Sequence, residues 1–157
     1  MFRENSKAYK ILSDEQVNNI LVNATSGVLC LQGEEYPYGV PISYYYDGES
    51  IILHSRFIGQ KIEMIRKNNK ACFTIIYQDN IKPELRTTNY QSVIEYGDVV
   101  EITDKQKKIK DLIGFCQKYS PGFEATNIEC SNNSVDNVMV LEIQIKHISG
   151  KFQDRKN

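Results

Sequence analysis

The sequence has no tryptophan, only two histidines (His54 and His147) and four prolines among its 157 residues. Two histidines cannot build a multi-histidine metal centre, and neither sits in an H-E-x-x-H pattern, so no metal is expected. The four cysteines, Cys30, Cys72, Cys116 and Cys130, contain no C-x-x-C pair. That removes zinc ribbons and thioredoxin-type motifs, and leaves the expectation of reduced thiols buried as small hydrophobes. There is no Walker-type phosphate loop, no G-x-G-x-x-G and no G-x-S-x-G. No charge of one sign prevails: 19 basic against 20 acidic side chains leave −1. Such balance argues against electrostatic capture of nucleic acid or an anionic membrane surface. The apolar runs are strand-sized, well short of the roughly 20 residues of a membrane-spanning helix. The segment from Met1 to Lys10 carries no apolar targeting stretch. These absences together describe a cytoplasmic chain with no nucleic-acid or membrane partner.

What is there is enough apolar material for one domain over 1–157, with 41% hydrophobic residues and ten tyrosines. Ser13 and Gln16 have capping-box spacing, and Val17, Ile20, Leu21 and Ala24 follow at i, i+3, i+4 and i+7. A short helix is expected there. Strands are expected over Gly27–Gln32, Tyr38–Tyr46 and Ser50–Ser55, with Asp47-Gly48 turning the last two into a hairpin. Gly59–Asn68 reads as a helix with Ile58, Ile62 and Ile65 on one face, and Ala71–Tyr77 as a strand. The polar stretch Gln78–Asn89, with Pro83, reads as a loop. Tyr90–Ile102 is a long strand in which Gly97 marks a bulge. Asp104–Tyr119 is a helix with Ile109, Leu112, Ile113 and Cys116 inward and a solvated row of lysines outward. Val138–Ile148 alternates apolar and polar, as a barrel wall does. About six strands joined by short connections and about three flanking helices make an antiparallel β-barrel, mainly β, rather than a doubly wound sheet.

Chemistry concentrates between Gly39 and Lys61. His54 and Ser55 end one strand, and Gly59-Gln60-Lys61 opens the next helix. A strand end meeting a helix N-terminus supplies a hydroxyl, free N–H groups and a lysine, which suits an anion such as phosphate. Pro41, within Val40-Pro41-Ile42-Ser43, cannot donate to a ladder, so that strand lies at an edge or faces something other than a neighbour. Exposed main chain there suits a flat heteroaromatic ligand. A packed histidine and a solvated lysine are the plainer alternatives for His54 and Lys61.

Three stretches carry a resemblance: Tyr36-Pro37-Tyr38-Gly39-Val40-Pro41-Ile42-Ser43, Leu53-His54-Ser55 followed by Gly59-Gln60-Lys61, and Tyr90-Gln91-Ser92-Val93 followed by Gly97. In order and spacing they resemble the pyridoxamine 5'-phosphate oxidase-like, FMN-binding split-barrel family, and within it the 5-nitroimidazole-resistance (Nim-type) branch. The similarity runs from about Asp14 to Gly150. It implies an antiparallel split barrel with FMN as cofactor. The main chain of Val40, Pro41, Ile42 and Ser43 would run along the isoalloxazine ring. His54, Ser55 and Gln60 would lie beside the ribityl phosphate, and Lys61 would be its principal cation. The flavin of this family sits between two subunits, so a homodimer is implied, with Ser92 reaching in from the second chain.

The resemblance has gaps. Gln91 stands where Nim-type members often have arginine, and Gln60 where the true oxidases have one; Arg56 is the available substitute. The chain also lacks the C-terminal Arg- and Trp-containing segment of the oxidases, which argues against vitamin-B6 oxidation proper. The leading expectation is an FMN-dependent oxidoreductase of nitroaromatic or other small electron acceptors, with reduced nicotinamide as a possible donor. No catalytic residue is assigned; His54 is the only candidate, for proton donation or for holding phosphate. A non-catalytic flavin- or haem-binding carrier is the alternative, and a dimeric interaction protein without flavin is a third.

Overall fold

A computed structural model describes Phe2 and residues 10–156, so most of the Met1–Lys10 segment read above for targeting lies outside the described residues. Helix α1 (Asp14–Asn23) starts where the capping box puts it: the Ser13 hydroxyl accepts from the Gln16 N–H while the Gln16 side chain accepts from the Ser13 N–H. Its stripe Val17, Ile20 and Leu21 is buried. Then come β1 (Ser26–Leu31), β2 (Tyr38–Ser43), β3 (Tyr45–Tyr46), β4 (Ser50–Ser55), α2 (Gln60–Lys67), β5 (Lys70–Lys82), β6 (Thr87–Glu101), α3 (Lys105–Tyr119), α4 (Glu124–Ser134) and β7 (Met139–Gln153). Among the described residues no helix is long and apolar enough to cross a membrane.

All seven strands form one antiparallel sheet in the order β2-β1-β5-β6-β7-β4-β3. The two edge strands, β2 and β3, are separated in the chain by Tyr44 alone. The sheet must therefore curl until its edges meet at that residue, yet the edges do not pair. The result is a split barrel.

Tyr44 is fully buried at this seam, and its hydroxyl donates to the Leu21 carbonyl at 2.9 Å. Its N–H, which has no strand to donate to, donates instead to the Tyr119 hydroxyl at 3.0 Å. Tyr119 in turn faces the carbonyl oxygens of Thr25 and Tyr44. One phenol thus joins the start of β1 to the crossing between β2 and β3.

The barrel interior is filled by Leu29, Ile51, Leu53, Phe73, Val93 and Ile143 from the strands and by α1 from one end. A second cluster, Ile52, Ile102, Leu112, Val135 and Val140, lies where α3 and α4 cover the outer side of β4 and β7. Burying one such aliphatic side chain contributes roughly 1.5–3 kcal/mol. Lys107 anchors α3 to this surface, 2.9 Å from the Asp111 carboxylate and 3.1 Å from that of Glu142. Burial works against the Lys107 ammonium, but its hydrogen bonds to Asp111 and Glu142 outweigh that and hold its pKa above the ordinary value.

Several expectations are corrected. Among the described residues there are seven strands and four α-helices, where about six and about three were expected. The strand expected over Tyr38–Tyr46 breaks at Tyr44, which turns the chain from one sheet edge to the other. Most of Gln78–Asn89 is ladder rather than loop: Gln78 pairs with Gln91, Asn80 with Asn89 and Lys82 with Thr87. This extension reaches past the main core, so it shows no apolar alternation. Helix α4 buries only Asn127 and Ser131 as whole residues, which hides it from a periodicity argument. Ile58 lies outside α2 and is 79% exposed. Lysines of α3 are bonded rather than free, Lys105 to Asp136 and Lys108 to the Val135 carbonyl. None of the four cysteines is fully buried. The bulge expected at Gly97 is present, where the β6–β7 register shifts between Tyr96 and Gly97.

Glu95 points into the barrel at 1% exposure, and neither carboxyl oxygen has a hydrogen-bond partner among the described residues. Burial pushes its carboxyl up to about 8. The folded chain therefore keeps a proton that the unfolded chain releases near its ordinary value of 4.5. This group's contribution is full at low pH and is lost as pH rises through about 8. The Glu95→Met variant should be more stable at pH 8 by on the order of a few kcal/mol, and should lose the decline that the parent shows above pH 5 or so. Urea midpoints across pH measure this; no gain at pH 8 would mean that the carboxyl has a partner.

Candidate functional site

The end of β4 and the start of α2 face one another across a short link. Gly59 is the N-cap of α2, at φ 126° and ψ 163°, a conformation nearly confined to glycine. Having no side chain, it makes no cap. Its carbonyl accepts from the N–H groups of Ile62 and Glu63, which leaves those of Gln60 and Lys61 without an intrahelical partner. Ile62 and Ile65 bury the opposite face of the helix and fix its direction. Arg66 donates to the Phe57 carbonyl at 3.4 Å and ties the link back to the helix.

Ser55 ends β4, Arg56 follows it in the link, and Lys61 lies in the first turn of α2. Ser55 is buried, and its hydroxyl makes no hydrogen bond among the described residues. Neither Arg56 nor Lys61 forms an ion pair among them. Free N–H groups at a helix N-terminus, with Lys61 in the first turn and Arg56 and Ser55 shortly before it in the chain, are the donor types that a phosphate monoester takes. Their chemistry suits the phosphate of a flavin nucleotide.

His54 lies next to them on the outer side of β4, its ring edge-on to Phe115 with centroids 4.5 Å apart. Burial lowers its pKa, and the Lys61 charge lowers it further, so the imidazole is neutral at neutral pH. From Phe115 the contacts continue to Tyr119, stacked at 4.8 Å, whose hydroxyl accepts from the N–H of Tyr44, the residue that follows Ser43 at the end of β2. An aromatic wall on α3 therefore links His54 to the end of β2. Phe115 and Tyr119 were missed by sequence reasoning. Their i, i+4 spacing on one helix face was the available signal.

The Lys61 charge thus reaches His54, Gln60 sits beside Lys61 in the first turn of α2, and Ser55 is buried on the face of β4 opposite to His54. Pro41 is on an edge strand, as its missing N–H requires. Along β2, Val40 and Ile42 pack toward the core, while Pro41 and Ser43 face solvent. Ser92 is not part of this cluster. It lies on β6, on the outer face opposite to that of Val93 and Glu95, in register with Ile76 and Lys151. A cleft of about 550 Å³ lies between the β1–β2 connection and α2; of the expected site residues only Gln60 borders it.

Residues 13–152 match the sequence profile described as pyridoxamine 5'-phosphate oxidase. The chain belongs to this family. No match was found among functionally curated proteins. Among solved structures, a candidate 5-nitroimidazole antibiotic resistance protein from Bacteroides thetaiotaomicron superposes with a TM-score of 0.77 at 23% identity, over 90% of this chain and 86% of that one. The flavocytochrome Anf3 from Azotobacter vinelandii gives 0.80 at 17% identity, over 98% and 73%. An FAD- and haem-binding protein from Mycobacterium smegmatis gives 0.80 at 16%, over 91% and 72%. At these identities the likeness is one of fold.

If the cradle holds an anion, His54 must respond, because a nearby negative charge favours the imidazolium. Its titration, followed by NMR on ring protons, should lie below the ordinary value of 6.5 and move upward as inorganic phosphate is added. An unchanged titration at saturating phosphate would separate His54 from the anion site.

Proposed function

We propose that this pyridoxamine 5'-phosphate oxidase family member binds FMN and works as an oxidoreductase on small electron acceptors such as nitroaromatics, as a homodimer in the cytoplasm. The observation that carries the reading is the cradle of unpaired donors around the N-terminus of α2, with Lys61 at its centre. The flavin supplies the electron transfer when bound. The chain's own groups hold and orient it: Lys61, with Arg56, balances the phosphate charge, and Ser55 and the free N–H groups of α2 donate to its oxygens. His54 and Gln60 flank it. The main chain of Val40, Pro41, Ile42 and Ser43 on β2 would hold the ring, with Pro41 and Ser43 on the exposed side. The neutral His54 imidazole offers a hydrogen-bonding nitrogen without adding charge.

One chain provides only one wall of such a site. On the outer face of the sheet Ile76, 69% exposed, pairs in register with Ser92. A second copy seated over this end of β5 and β6 would bury apolar area and carry its own Ser92 toward the flavin.

A carrier of flavin or haem is the second reading. It is favoured by the relatives described as a flavocytochrome and as an FAD- and haem-binding protein, and by the lack of any acid–base partner for His54 beyond Lys61.

The purified protein should be yellow with a flavin spectrum, or become so on adding FMN. A protein that stays colourless sinks both the enzyme and the flavin-carrier readings. With flavin bound, reduced nicotinamide should be consumed when a nitroaromatic is added, whereas absence of turnover favours the carrier. Lys61→Ala should weaken FMN binding by roughly 1.5–3 kcal/mol, the worth of a charged hydrogen bond. Fluorescence titration measures it, and unchanged affinity would refute the phosphate assignment.

A further inference from the structure

Cys30 and Cys72 are far apart in the chain, but the β1–β5 register sets them directly opposite one another. Both lie on the outer face of the sheet, each half-exposed, and the Cys30 thiol is near enough to contribute to the raised pKa of Cys72. Directly opposed residues of an antiparallel pair have Cα atoms about 4.5–5.5 Å apart, inside the range a disulfide spans. Directly opposed Cβ atoms in antiparallel pairs are commonly about 4.5–5.5 Å apart, wider than the roughly 3.8 Å of a relaxed disulfide, so disulfides across such pairs tend to be strained and readily reduced. The neighbour of Cys30 on β2 is Gly39, which has no side chain, and the neighbour of Cys72 on β6 is Tyr96. The other contacts of the sulfurs are long ones, 3.8 Å to the Val28 carbonyl for Cys30 and 3.8 Å to the Thr74 hydroxyl for Cys72.

We propose that Cys30 and Cys72 form a reversible cross-strand dithiol–disulfide site, oxidised by small peroxides. The Cys30 thiolate attacks one peroxide oxygen, the O–O bond breaks, and a sulfenic acid forms at Cys30 with release of one water. The Cys72 sulfur then attacks the Cys30 sulfur. The S–S bond forms, the S–O bond breaks, and the hydroxyl leaves with the Cys72 proton as a second water. In sum two thiols lose two electrons and two protons to hydrogen peroxide, giving one disulfide and two waters. Burial raises the Cys72 thiol above its ordinary pKa, so Cys72 is the poorer first nucleophile and takes the resolving role. The residues enclosed by this link include β2, β3, β4 and α2, the whole segment that carries the anion cradle. Cys116 and Cys130, on α3 and α4, have no such partner in register.

The test treats the full, reduced chain with a small excess of hydrogen peroxide, traps remaining thiols, and examines intact mass and proteolytic peptides. Loss of two hydrogen masses, with a Cys30 peptide joined to a Cys72 peptide within one chain and released by dithiothreitol, is the expected result. The link should be absent from Cys30→Ser and Cys72→Ser and retained in Cys116→Ser and Cys130→Ser. Because the wild-type peptide map stands without any variant, a serine protein that fails to fold does not spoil the measurement. Oxidation confined to the exposed Cys130, a link between two chains on a non-reducing gel, or oxygenated products that dithiothreitol cannot reverse would each overturn the proposal.

Discussion

The hydrogen bond from the Tyr44 N–H to the Tyr119 hydroxyl carries the architecture. A seven-stranded sheet whose edges come within one residue of each other, without pairing, leaves a main-chain donor at the seam with nothing to bond. Leaving it unsatisfied in a buried place would cost about 1–3 kcal/mol. Tyr119 meets that need from α3, and the same helix carries Phe115 to His54. Closure of the barrel and shaping of the candidate site are thus one event. The chain cannot dock α3 without doing both.

The anion cradle is built on the opposite logic. Four cations are ion-paired among the described residues, Lys67 with Glu34, Lys70 with Asp98, Lys105 with Asp136 and Lys107 with three carboxylates. At the mouth of α2, Arg56 and Lys61 form no ion pair among those residues, and they flank a glycine whose backbone would strain any other residue. Local electrostatic imbalance in an otherwise neutral molecule is a stored affinity for a negative group. Overall charge cannot report it, since the average hides the place where it is concentrated.

What was legible in the sequence was local. The capping box at Ser13, the Asp47-Gly48 turn, the Pro41 edge strand and the Gly97 bulge each announce themselves through the backbone requirement of one or two residues. His54, Ser55, Gln60 and Lys61 could be grouped because short chain distance guarantees their proximity. Features set by register or docking were not legible. Nothing in the chain says that Cys30 faces Cys72, since that depends on pairing between distant strands. Tyr119 reads as the last turn of an amphipathic helix, and its role at the seam exists only after the sheet has curled. Glu95 gives no warning either, because a polar residue in alternation normally faces water.

The split itself bears on how the sheet avoids strand-to-strand association. Exposed strand edges invite foreign strands to add to them, which leads to polymers. Here the two free edges guard one another: β2 ends where β3 begins, β3 is two residues long, and Pro41 removes a donor from β2. An incoming strand at the seam would have to push aside Tyr44 and the helix behind it. The opening that leaves room beside β2 for a flat ligand is therefore narrow to extended peptide, so the fold keeps an unzipped barrel without offering a template for aggregation.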